Sequence, residues 1–511
     1  MFQGIILAFA AGLPALSYAL QGAAGLNLWD EGFLWYGAQR VMAGEVPIRD
    51  FQAYDVGRYY WAAGLMSALG SNGILALRIT NAALLALGVM LAAHMVTRPP
   101  QRVGIVYSIF AASTFMLWMA PDFKAADFTA SIALIFAIAY AVEMPTPRRF
   151  LICGVMVGVA AILGRNHGFY GAVASFAVIA YSAYRQVGIR PLPALLALLV
   201  GIFVGYLPML VALAATPGFA HAFWEGIRFL FEYKATNIAL PLPWPWRVSF
   251  DHQPLINALR QVLVGTLFAG LLCFGLIGLL YLVRSRLSRN ATFSPVFVSS
   301  VLLAFPYAHY AFSRADIAHL AFGVFPFLIG VMTFPTSASR CSRAAVLGIL
   351  FAISIIIMLP VQPGFRALRD PGHEMVAVGD DTLKVSAETA WQIKLIDSLA
   401  DRYASNGRSL FVAPFWPGAY ALLKRKSPTW EIYGLFPRTD SFQEAEITRI
   451  KAANVGLTII TDIPLDGRDD LRYKNTHPAI ERYIRSTFQP LSNSIPTPQL
   501  QIYARRGVDQ L

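Results

Sequence analysis

The sequence predicts an α-helical, polytopic membrane protein with a small α/β domain at its C-terminal end, and three observations support that fold class. The chain has 511 residues, of which 56% are hydrophobic and only 14% are charged, whereas about a quarter of the residues of a soluble protein are charged. Apolar segments long enough to cross about 30 Å of hydrocarbon recur along most of the chain. From about residue 362 the composition changes to the mixed charge and short apolar runs of a soluble domain.

The apolar segments predict about eleven transmembrane helices. They lie at residues 3–22, 74–96, 103–120, 128–143, 150–164, 170–184, 192–215, 261–283, 295–312, 319–335 and 344–361. The first segment lacks a basic n-region, so we interpret it as an uncleaved span rather than a signal peptide.

Arginine-rich loops set the predicted orientation in the membrane. The loops that we assign to one side contain no Asp or Glu, apart from Glu143 at the border of a span. Their arginines are Arg98, Arg102, Arg148, Arg149, Arg185, Arg190, Arg284, Arg286, Arg289, Arg340 and Arg343. Short loops rich in Arg stay in the cytoplasm. We therefore expect the N-terminus inside, and the chain that follows the last span outside.

The charge pattern argues against a nucleic-acid partner, and the cysteine positions argue against a disulfide framework. The net charge is +12, but no basic run is interleaved with aromatic residues, so we expect no nucleic-acid partner. Cys153 and Cys273 lie in predicted spans and Cys341 lies in a cytoplasmic loop, so we expect no disulfide framework in the outer domain. The sequence also has no Cys/His spacing typical of a zinc site.

The chain divides into two predicted parts. Residues 1–361 form a transmembrane module with long outer loops at residues 23–73 and 216–260, and residues 362–511 form a soluble outer domain. Short apolar runs in that domain predict buried strands at residues 410–413, 457–460 and 500–504. Helices are predicted at residues 389–406, 441–454 and 479–488.

Both long outer loops contain segments suited to a membrane surface. Residues 31–43 are amphipathic and residues 58–69 are aromatic and apolar, which predicts two interfacial helices in the first loop. Residues 219–233 of the second loop have a similar pattern. The Pro/Trp run at residues 240–246 is incompatible with an α-helix, and its tryptophans favour the headgroup level.

Carboxylates and cations gather at the outward ends of the predicted spans. The span interiors hold almost none, which disfavours an ion pump or a proton relay. Asp30 and Glu31 form an acidic pair at the start of the first outer loop. The short outer loops add Asp122, Lys124, Asp127, Arg165, His167, Arg314 and His319.

Each of these residues alone also has a structural interpretation. Asp30 suits the cap of a helix, with Glu31 stabilised near the same N-terminus. Asp122 and Asp127 suit loop solvation or capping. Arg165 and Arg314 suit lipid headgroups, and His319 suits a hydrogen-bonded position at a helix end. Because all of them are expected at one rim of the bundle, we favour a shared function.

A rim of this composition above a lipid-accessible bundle suits the transfer of a sugar from a lipid-linked phosphate. Arginine or histidine stabilises the charge of the leaving phosphate. A carboxylate on the opposite side accepts the proton of the acceptor hydroxyl. Attack from that side inverts the anomeric centre. Because nucleotide sugars are absent outside the cell, the donor is expected to be carried by a lipid.

The chain resembles the GT-C superfamily of polytopic glycosyltransferases, near its protein O-mannosyltransferase and lipid A aminoarabinose-transferase branches. The resemblance rests on Asp30-Glu31, on the two interfacial helices of the same loop and on Asp122 in the second outer loop. The number of spans and the C-terminal α/β domain also match. Residues 414–428 (PFWPGAYALLKRKSP) resemble the corresponding domain of bacterial members.

The resemblance implies a role for each residue of the rim. Asp30 is the general base, and Glu31 orients it or the acceptor. Asp122 or Asp127 is the second-loop acid beside the donor, next to the cation Lys124. The phosphate clamp comprises Arg165, His167, Arg314 and His319. Because cations are numerous here, we favour transfer without a metal or other cofactor.

The resemblance also implies the partners and the location. The donor is a polyprenyl-phosphate-linked sugar, and the acceptor is a hydroxyl of a glycan, lipid or protein on the periplasmic side of a bacterial inner membrane.

A lipid or solute transporter fits the span count, but repeated halves and polar residues in mid-span are missing from the sequence. A polysaccharide polymerase or ligase is a second competing hypothesis, and a non-catalytic assembly or receptor protein is a third.

Overall fold

The computed structural model describes residues 2–98, 103–185, 189–233, 237–284, 293–334, 339–491 and 499–506. Three arginines of the predicted cytoplasmic loops, Arg102, Arg286 and Arg289, lie outside these ranges. The chain divides into two compact units. The first comprises Met1–Gly22 and Arg78–Arg366, and the second comprises Ala23–Leu77 and Ala367–Leu511.

The helices follow one another along almost the whole chain. In order they are α1 (Phe2–Gln21), α2 (Asp30–Met42), α3 (Val56–Ala68), α4 (Ile74–Thr97), α5 (Ile105–Trp118), α6 (Ala125–Glu143), α7 (Pro147–Leu163), α8 (Arg165–Tyr184), α9 (Pro191–Ala215), α10 (Phe219–Tyr233), α11 (Leu255–Arg284), α12 (Pro295–Ser313), α13 (Ile317–Gly323), α14 (Phe325–Thr333), α15 (Arg340–Met358), α16 (Pro363–Arg369), α17 (Ala387–Tyr403), α18 (Gly418–Leu422), α19 (Asp440–Ala452), α20 (Tyr473–Thr476) and α21 (Pro478–Thr487). The strands are β1 (Glu374–Val378), β2 (Asp381–Val385), β3 (Ser409–Ala413), β4 (Val455–Thr461), β5 (Phe488–Pro490) and β6 (Leu500–Arg505).

The predicted polytopic helical fold is confirmed. Each predicted span coincides with a helix or, for the tenth, with the pair α13 and α14. That pair is interrupted because Pro326 has no N–H to donate and its ring clashes with the carbonyl one turn earlier. Within the described ranges, seven helices are long and apolar enough to cross a membrane: α1, α4, α6 with the turn before it, α9, α11, α12 and α15 with the turn after it.

Small residues allow the helices of the first unit to pack closely. Gly154 and Gly158 of α7 face Gly201 and Gly205 of α9, and each pair is spaced four residues apart. A Cβ on Gly201 would lie 2.2 Å from the carbonyl oxygen of Leu151, which is shorter than any allowed contact. Such pairs of small residues bring helix backbones together in lipid, where no hydrophobic effect drives association.

The second unit contains the predicted α/β domain. Its larger sheet has the strand order β3-β4-β6-β5, in which β3 and β4 are parallel and the other neighbours are antiparallel. The predicted strands at residues 410–413, 457–460 and 500–504 correspond to β3, β4 and β6, and the three predicted helices correspond to α17, α19 and α21. The sequence analysis did not predict the hairpin of β1 and β2, in which Val376, Val378, Leu383 and Val385 are buried.

The first outer loop belongs to this second unit. Its two predicted helices are α2 and α3, and residues 23–77 group with the α/β domain in the structure. Every residue of Glu31–Ala38 is buried, so α2 is enclosed by protein on all sides over its first two turns. In contrast, α3 exposes Tyr60 and Trp61, aromatic residues of the type that prefers the headgroup level.

Candidate functional site

The acidic pair opens helix α2, whose N-cap is Trp29, and the side chain of Asn27 bonds to the backbone at this start. Oδ1 of Asn27 accepts hydrogen bonds from the backbone N–H groups of Trp29, at 2.8 Å, and Asp30, at 3.1 Å. Asp30 is the first helical residue, and its carboxylate makes no capping hydrogen bond. Asp30 therefore does not fill the capping role that the sequence allowed for it, and its own N–H is bonded by Asn27.

Glu31 and Asp30 differ in their surroundings. Glu31 is only 3% exposed, and its Oε2 accepts a hydrogen bond of 3.1 Å from the backbone N–H of Asn27. Because the side chain of Asn27 bonds in turn to the N–H groups of Trp29 and Asp30, Glu31 and Asn27 together stabilise the start of α2. Asp30 is half-buried, and among the residues that the structure describes its carboxylate has no hydrogen bond or ion pair. The Asp30 carboxylate thus keeps its hydrogen-bonding capacity within the described residues.

A buried polar network lies inside the first unit, where α6, α8 and α12 meet. Asp127 and His167 are 2% and 1% exposed. Nε2 of His167 donates to Oδ1 of Asp127 over 3.1 Å, and the hydroxyl of Tyr310 donates to the same oxygen over 3.0 Å. The other ring nitrogen of His167 lies 2.8 Å from the hydroxyl of Tyr307. Both nitrogens of His167 are therefore engaged by protein groups.

A second cluster of the first unit surrounds Asp316, in the loop between α12 and α13. Its Oδ1 accepts from the backbone N–H of His319, which caps α13, and lies 2.8 Å from Nδ1 of the same residue. Its Oδ2 accepts from Nε of Arg314 over 2.9 Å. Burial alone would raise the pKa of Asp316, but the hydrogen bonds from His319 and the positive charge of Arg314 lower it on balance.

Asp316 therefore fixes the orientation of both Arg314 and His319. Arg314 also donates from an Nη to the carbonyl oxygen of Ile238 over 3.2 Å. Nε2 of His319 lies 2.7 Å from the side-chain nitrogen of Asn237. Side chains held in this way by a second layer of hydrogen bonds are suited to precise recognition of an anion.

One tyrosine connects the two clusters of the first unit. Tyr310 bonds to Asp127 through its hydroxyl, and its ring centroid lies 6.3 Å from that of His319. Lys124 lies 6.0 Å from the ring centroid of Phe322, which packs against both Tyr310 and His319. The structure thus brings together five residues of the predicted site: Lys124, Asp127, His167, Arg314 and His319.

The remaining predicted residues lie at helix starts. Asp122 begins the short turn Asp122–Lys124 before α6, and Arg165 is the first residue of α8; both are half-buried. Asp30 and Glu31 belong to the second unit. The roles assigned to all nine residues stay predictions.

The sequence analysis did not identify Tyr307, Tyr310, Asp316 or Asn237 as part of the site. A signal for two of them was present, because Tyr307, His309 and Tyr310 place three polar rings within one apolar span. His309 also lies 2.8 Å from the hydroxyl of Tyr170. Nothing in the sequence around Asn237 indicates its contact with His319.

The described residues contain no group of three or more His, Cys, Asp or Glu side chains placed to hold a metal ion. That the transfer needs no metal stays a prediction, because the arrangement of these side chains does not test the reaction.

Comparison with known proteins shows similarity in structure only. No protein-family model matches the chain, and no curated protein matches it. It is similar to ArnT from Cupriavidus metallidurans bound to undecaprenyl phosphate, with 13% identity, coverage of 99% of both chains and a TM-score of 0.53. The apo form of that protein gives 12% identity, 98% coverage of both chains and a TM-score of 0.53. An apo oligosaccharyltransferase from Archaeoglobus fulgidus gives 10% identity and a TM-score of 0.50, over 96% of this chain and 72% of the other.

Proposed function

We propose that this integral membrane protein, which has the GT-C fold, is an inverting glycosyltransferase that moves a sugar from a polyprenyl-phosphate donor to an acceptor hydroxyl. The reaction takes place on the periplasmic side of a bacterial inner membrane, and the acceptor is a glycan, a lipid or a protein. The fold supports the transferase class, because the chain shares it with ArnT and with an oligosaccharyltransferase. The undecaprenyl phosphate bound to ArnT supports a donor of the same lipid class.

The observation that carries the proposal is that the carboxylate of Asp30 has no bond to the described protein. Its carboxylate is half-buried at the start of helix α2, and within the described chain it has no side-chain partner. A general base must be able to reach the proton it removes, and a carboxylate already bonded to the protein cannot do so without losing that bond. In the proposed reaction Asp30 accepts the proton of the acceptor hydroxyl.

Arg314 and His319 are the proposed ligands of the donor phosphate. Asp316 orients both, and Arg314 retains partial exposure, with 19% of its side chain accessible. We assign Asp127 and His167 a supporting role, because they are only 2% and 1% exposed, whereas 15% of the His319 side chain is accessible. Lys124 adds positive charge near the same aromatic residues.

The step balances without any further reactant. The acceptor oxygen forms a bond to the anomeric carbon while its proton passes to Asp30. The bond between the anomeric carbon and the phosphate oxygen breaks, and its electron pair leaves with the polyprenyl phosphate. The cations stabilise the charge that the phosphate gains. Because attack and departure occur on opposite faces of the sugar, the anomeric configuration inverts.

A deletion strain of the source organism tests the proposed function. Mass spectrometry of its lipids and outer glycans should show accumulation of one polyprenyl-phosphate-linked sugar and loss of that sugar from one outer acceptor. A plasmid with the wild-type gene should reverse both changes, and one with Asp30→Asn should not. Asp440→Asn is the matched control, because Asp440 is also the first residue of a helix in the same unit.

A lipid-linked pool that is unchanged by the deletion would contradict the proposal. So would full complementation by Asp30→Asn, which would remove Asp30 as the base. Transport of a lipid or solute in vesicles without transfer would favour a transporter.

A further inference from the structure

Helix α2, which carries Asp30, packs backbone to backbone against the C-terminal domain. The N–H of Gly418 donates to the carbonyl oxygen of Leu28 over 2.9 Å. A Cβ on Gly32 would lie 2.5 Å from the Cα of Gly418, so no larger residue fits at that position without a shift of the backbone. The contact surrounds Asp30 in the sequence, because Leu28 precedes it and Gly32 follows it by two residues each.

Aromatic residues extend this contact. The ring of Trp29 stacks on that of Phe415, with centroids 4.2 Å apart and an interplanar angle of 6°. On the next turn of the helix, the ring centroid of Phe33 lies 5.6 Å from that of Tyr433. Such pairs stabilise a defined geometry beyond the burial of their area.

The chain that follows α2 is bound to the same domain. The side chain of Gln52 accepts from the N–H groups of Ile432, at 3.0 Å, and Tyr433, at 2.8 Å, and donates to the carbonyl oxygen of Tyr433 over 3.1 Å. Its backbone N–H donates to the carbonyl oxygen of Trp430 over 2.8 Å. The indole of Trp430 donates in turn to the carbonyl oxygen of Ile48 over 2.8 Å.

Two further contacts lie between these ends. The backbone N–H of Ser427 donates to the hydroxyl of Tyr36 over 3.0 Å. Nζ of Lys426 lies 2.7 Å from a carboxylate oxygen of Glu45. Residues 415–433, which we name the clamp segment, therefore bond to the first loop from Leu28 to Gln52.

The clamp segment is itself fixed to the core of the α/β domain. The backbone N–H of Trp430 donates to Oε2 of Glu446 on α19, a carboxylate that is 1% exposed. The hydroxyl of Tyr420 accepts from the backbone N–H of Val412 in β3 over 2.8 Å. A displacement of the clamp segment would break both of these bonds. They therefore hold the clamp segment to α19 and β3.

We infer that the clamp segment is a positioning device for Asp30, so that the C-terminal domain sets the placement of the catalytic base. The inference rests on the proposed function, because it takes Asp30 as that base. Helices as short as α2, with 13 residues, are marginal in water without tertiary contacts. A displacement of about 1 Å at a reacting group costs on the order of 10²-fold in rate. The contacts of the clamp segment therefore control turnover, although none of its residues is placed at the reacting atoms.

Two matched pairs of variants test the inference in the full-length protein. Gln52→Ala removes three hydrogen bonds between the first loop and the clamp segment. Its control is Gln443→Ala, which removes three hydrogen bonds to backbone groups at Arg438, Ala479 and Ile480, away from the first loop. Gly32→Ala blocks the contact with Gly418, and its control is Gly64→Ala on α3, where a Cβ would meet nothing within 4 Å.

The first readout is hydrogen exchange of the backbone, measured by mass spectrometry. Exchange in residues 30–42 should rise by about tenfold in Gln52→Ala, because lost bonds increase local opening. Gln443→Ala should increase exchange in residues 478–487 and leave residues 30–42 unchanged. In Gly32→Ala exchange in residues 30–42 should also rise, even though alanine favours a helix more than glycine does.

The second readout is turnover with a panel of undecaprenyl-phosphate-linked hexoses and pentoses. We expect kcat to fall by about tenfold or more in Gln52→Ala and Gly32→Ala, with KM for the donor unchanged. Gln443→Ala should lower the melting temperature by as much as Gln52→Ala does and leave kcat unchanged. Loss of stability alone would not produce this difference between the two glutamine variants.

The results separate this inference from the proposed function. Unchanged exchange in residues 30–42 for both Gln52→Ala and Gly32→Ala would overturn the inference. So would equal losses of kcat in Gln52→Ala and Gln443→Ala, or normal kcat in both test variants while Asp30→Asn is inactive. Normal activity of Asp30→Asn would instead reject the proposed function.

Discussion

Two aspartates at the starts of two helices, Asp30 and Asp127, have opposite surroundings. Asp30 is half-buried, and no described residue bonds to its carboxylate. Asp127 is 2% exposed, and one of its oxygens accepts from both His167 and Tyr310. The sequence alone treats both as acids at a membrane rim. In the structure Asp127 joins α6 to α8 and α12 through these bonds, whereas the Asp30 carboxylate keeps its hydrogen-bonding capacity.

Substitution at each aspartate should sharpen this comparison, with the largest effect on stability at Asp127. Asp127→Ala leaves His167 and Tyr310 without their shared acceptor in a buried site, so we expect a loss of about 3–5 kcal/mol of unfolding free energy. Asp30→Asn should change that free energy by less than about 0.5 kcal/mol, because no bond within the protein is lost. Thermal unfolding in detergent measures both, and equal losses at the two positions would contradict the comparison.

Binding of the donor phosphate is expected to depend on Arg314. Arg314→Ala should weaken the binding of undecaprenyl phosphate by about tenfold to a hundredfold, because a charge-assisted hydrogen bond contributes about 1.5–3 kcal/mol. The matched control is Arg228→Ala, which removes a more exposed arginine of α10 that pairs with Glu225 and Glu232. Titration of the lipid into protein in nanodiscs measures the affinity. Equal affinities of the two variants would argue against the phosphate role.

The hydroxyl groups around Asp127 and His167 should contribute smaller amounts. Tyr310→Phe and Tyr307→Phe each remove one hydroxyl from the buried network, and we expect each to lower the unfolding free energy by about 1–2 kcal/mol. The double variant should lose a different amount from the sum of the two, because both bonds involve one Asp–His pair. Strict additivity would show that the network does not act as a unit.

A third acid, Glu446 beneath the clamp segment, is expected to make the stability of the protein depend on pH. Burial raises the pKa of Glu446 from 4.5 to about 7, although Arg449 opposes that shift. Because the folded state then holds a proton that the unfolded state has released, stability should fall as pH rises from about 4.5 to about 7. Nearby Glu431 has the opposite shift, since Arg438 and His477 outweigh its burial and lower its pKa, so its contribution is lost only at lower pH.

Glu446→Gln should flatten the pH dependence between about pH 4.5 and 7 and keep an acceptor for the N–H of Trp430. Melting temperatures of the two proteins across that range provide the measurement. A parallel decline in both would assign the dependence to another group.

The helices and strands that could be predicted from the sequence are those that depend on the composition of a short stretch of chain. A span must be apolar over its whole length, and a buried strand must be apolar over a few residues, so both are visible in composition. Asp30 and Glu31 were recognisable because an acidic pair next to an apolar segment is unusual. The bond between Asp127 and His167 joins residues 40 positions apart, and that between Asp127 and Tyr310 joins residues 183 positions apart. Periodicity carries no information about such pairs.

The grouping of the first loop with the C-terminal domain was not predictable for the same reason. Residues 31–43 have an amphipathic pattern, which indicates that one face is buried but not whether lipid or protein covers it. Gly32 and Gly418 show no shared pattern in the sequence, although each is required to be small by the other. Only the three-dimensional structure reveals the contacts between the clamp segment and α2.

The most direct measurement is the rate at which purified protein releases undecaprenyl phosphate from an undecaprenyl-phosphate-linked sugar in the presence of acceptor. The account predicts that Asp30→Asn lowers kcat by about 10²–10⁴-fold, the usual contribution of a general base, while Asp440→Asn retains the wild-type rate. The product formed by the wild-type protein should have the inverted anomeric configuration. A normal rate in Asp30→Asn, or a product with retained configuration, would contradict the account.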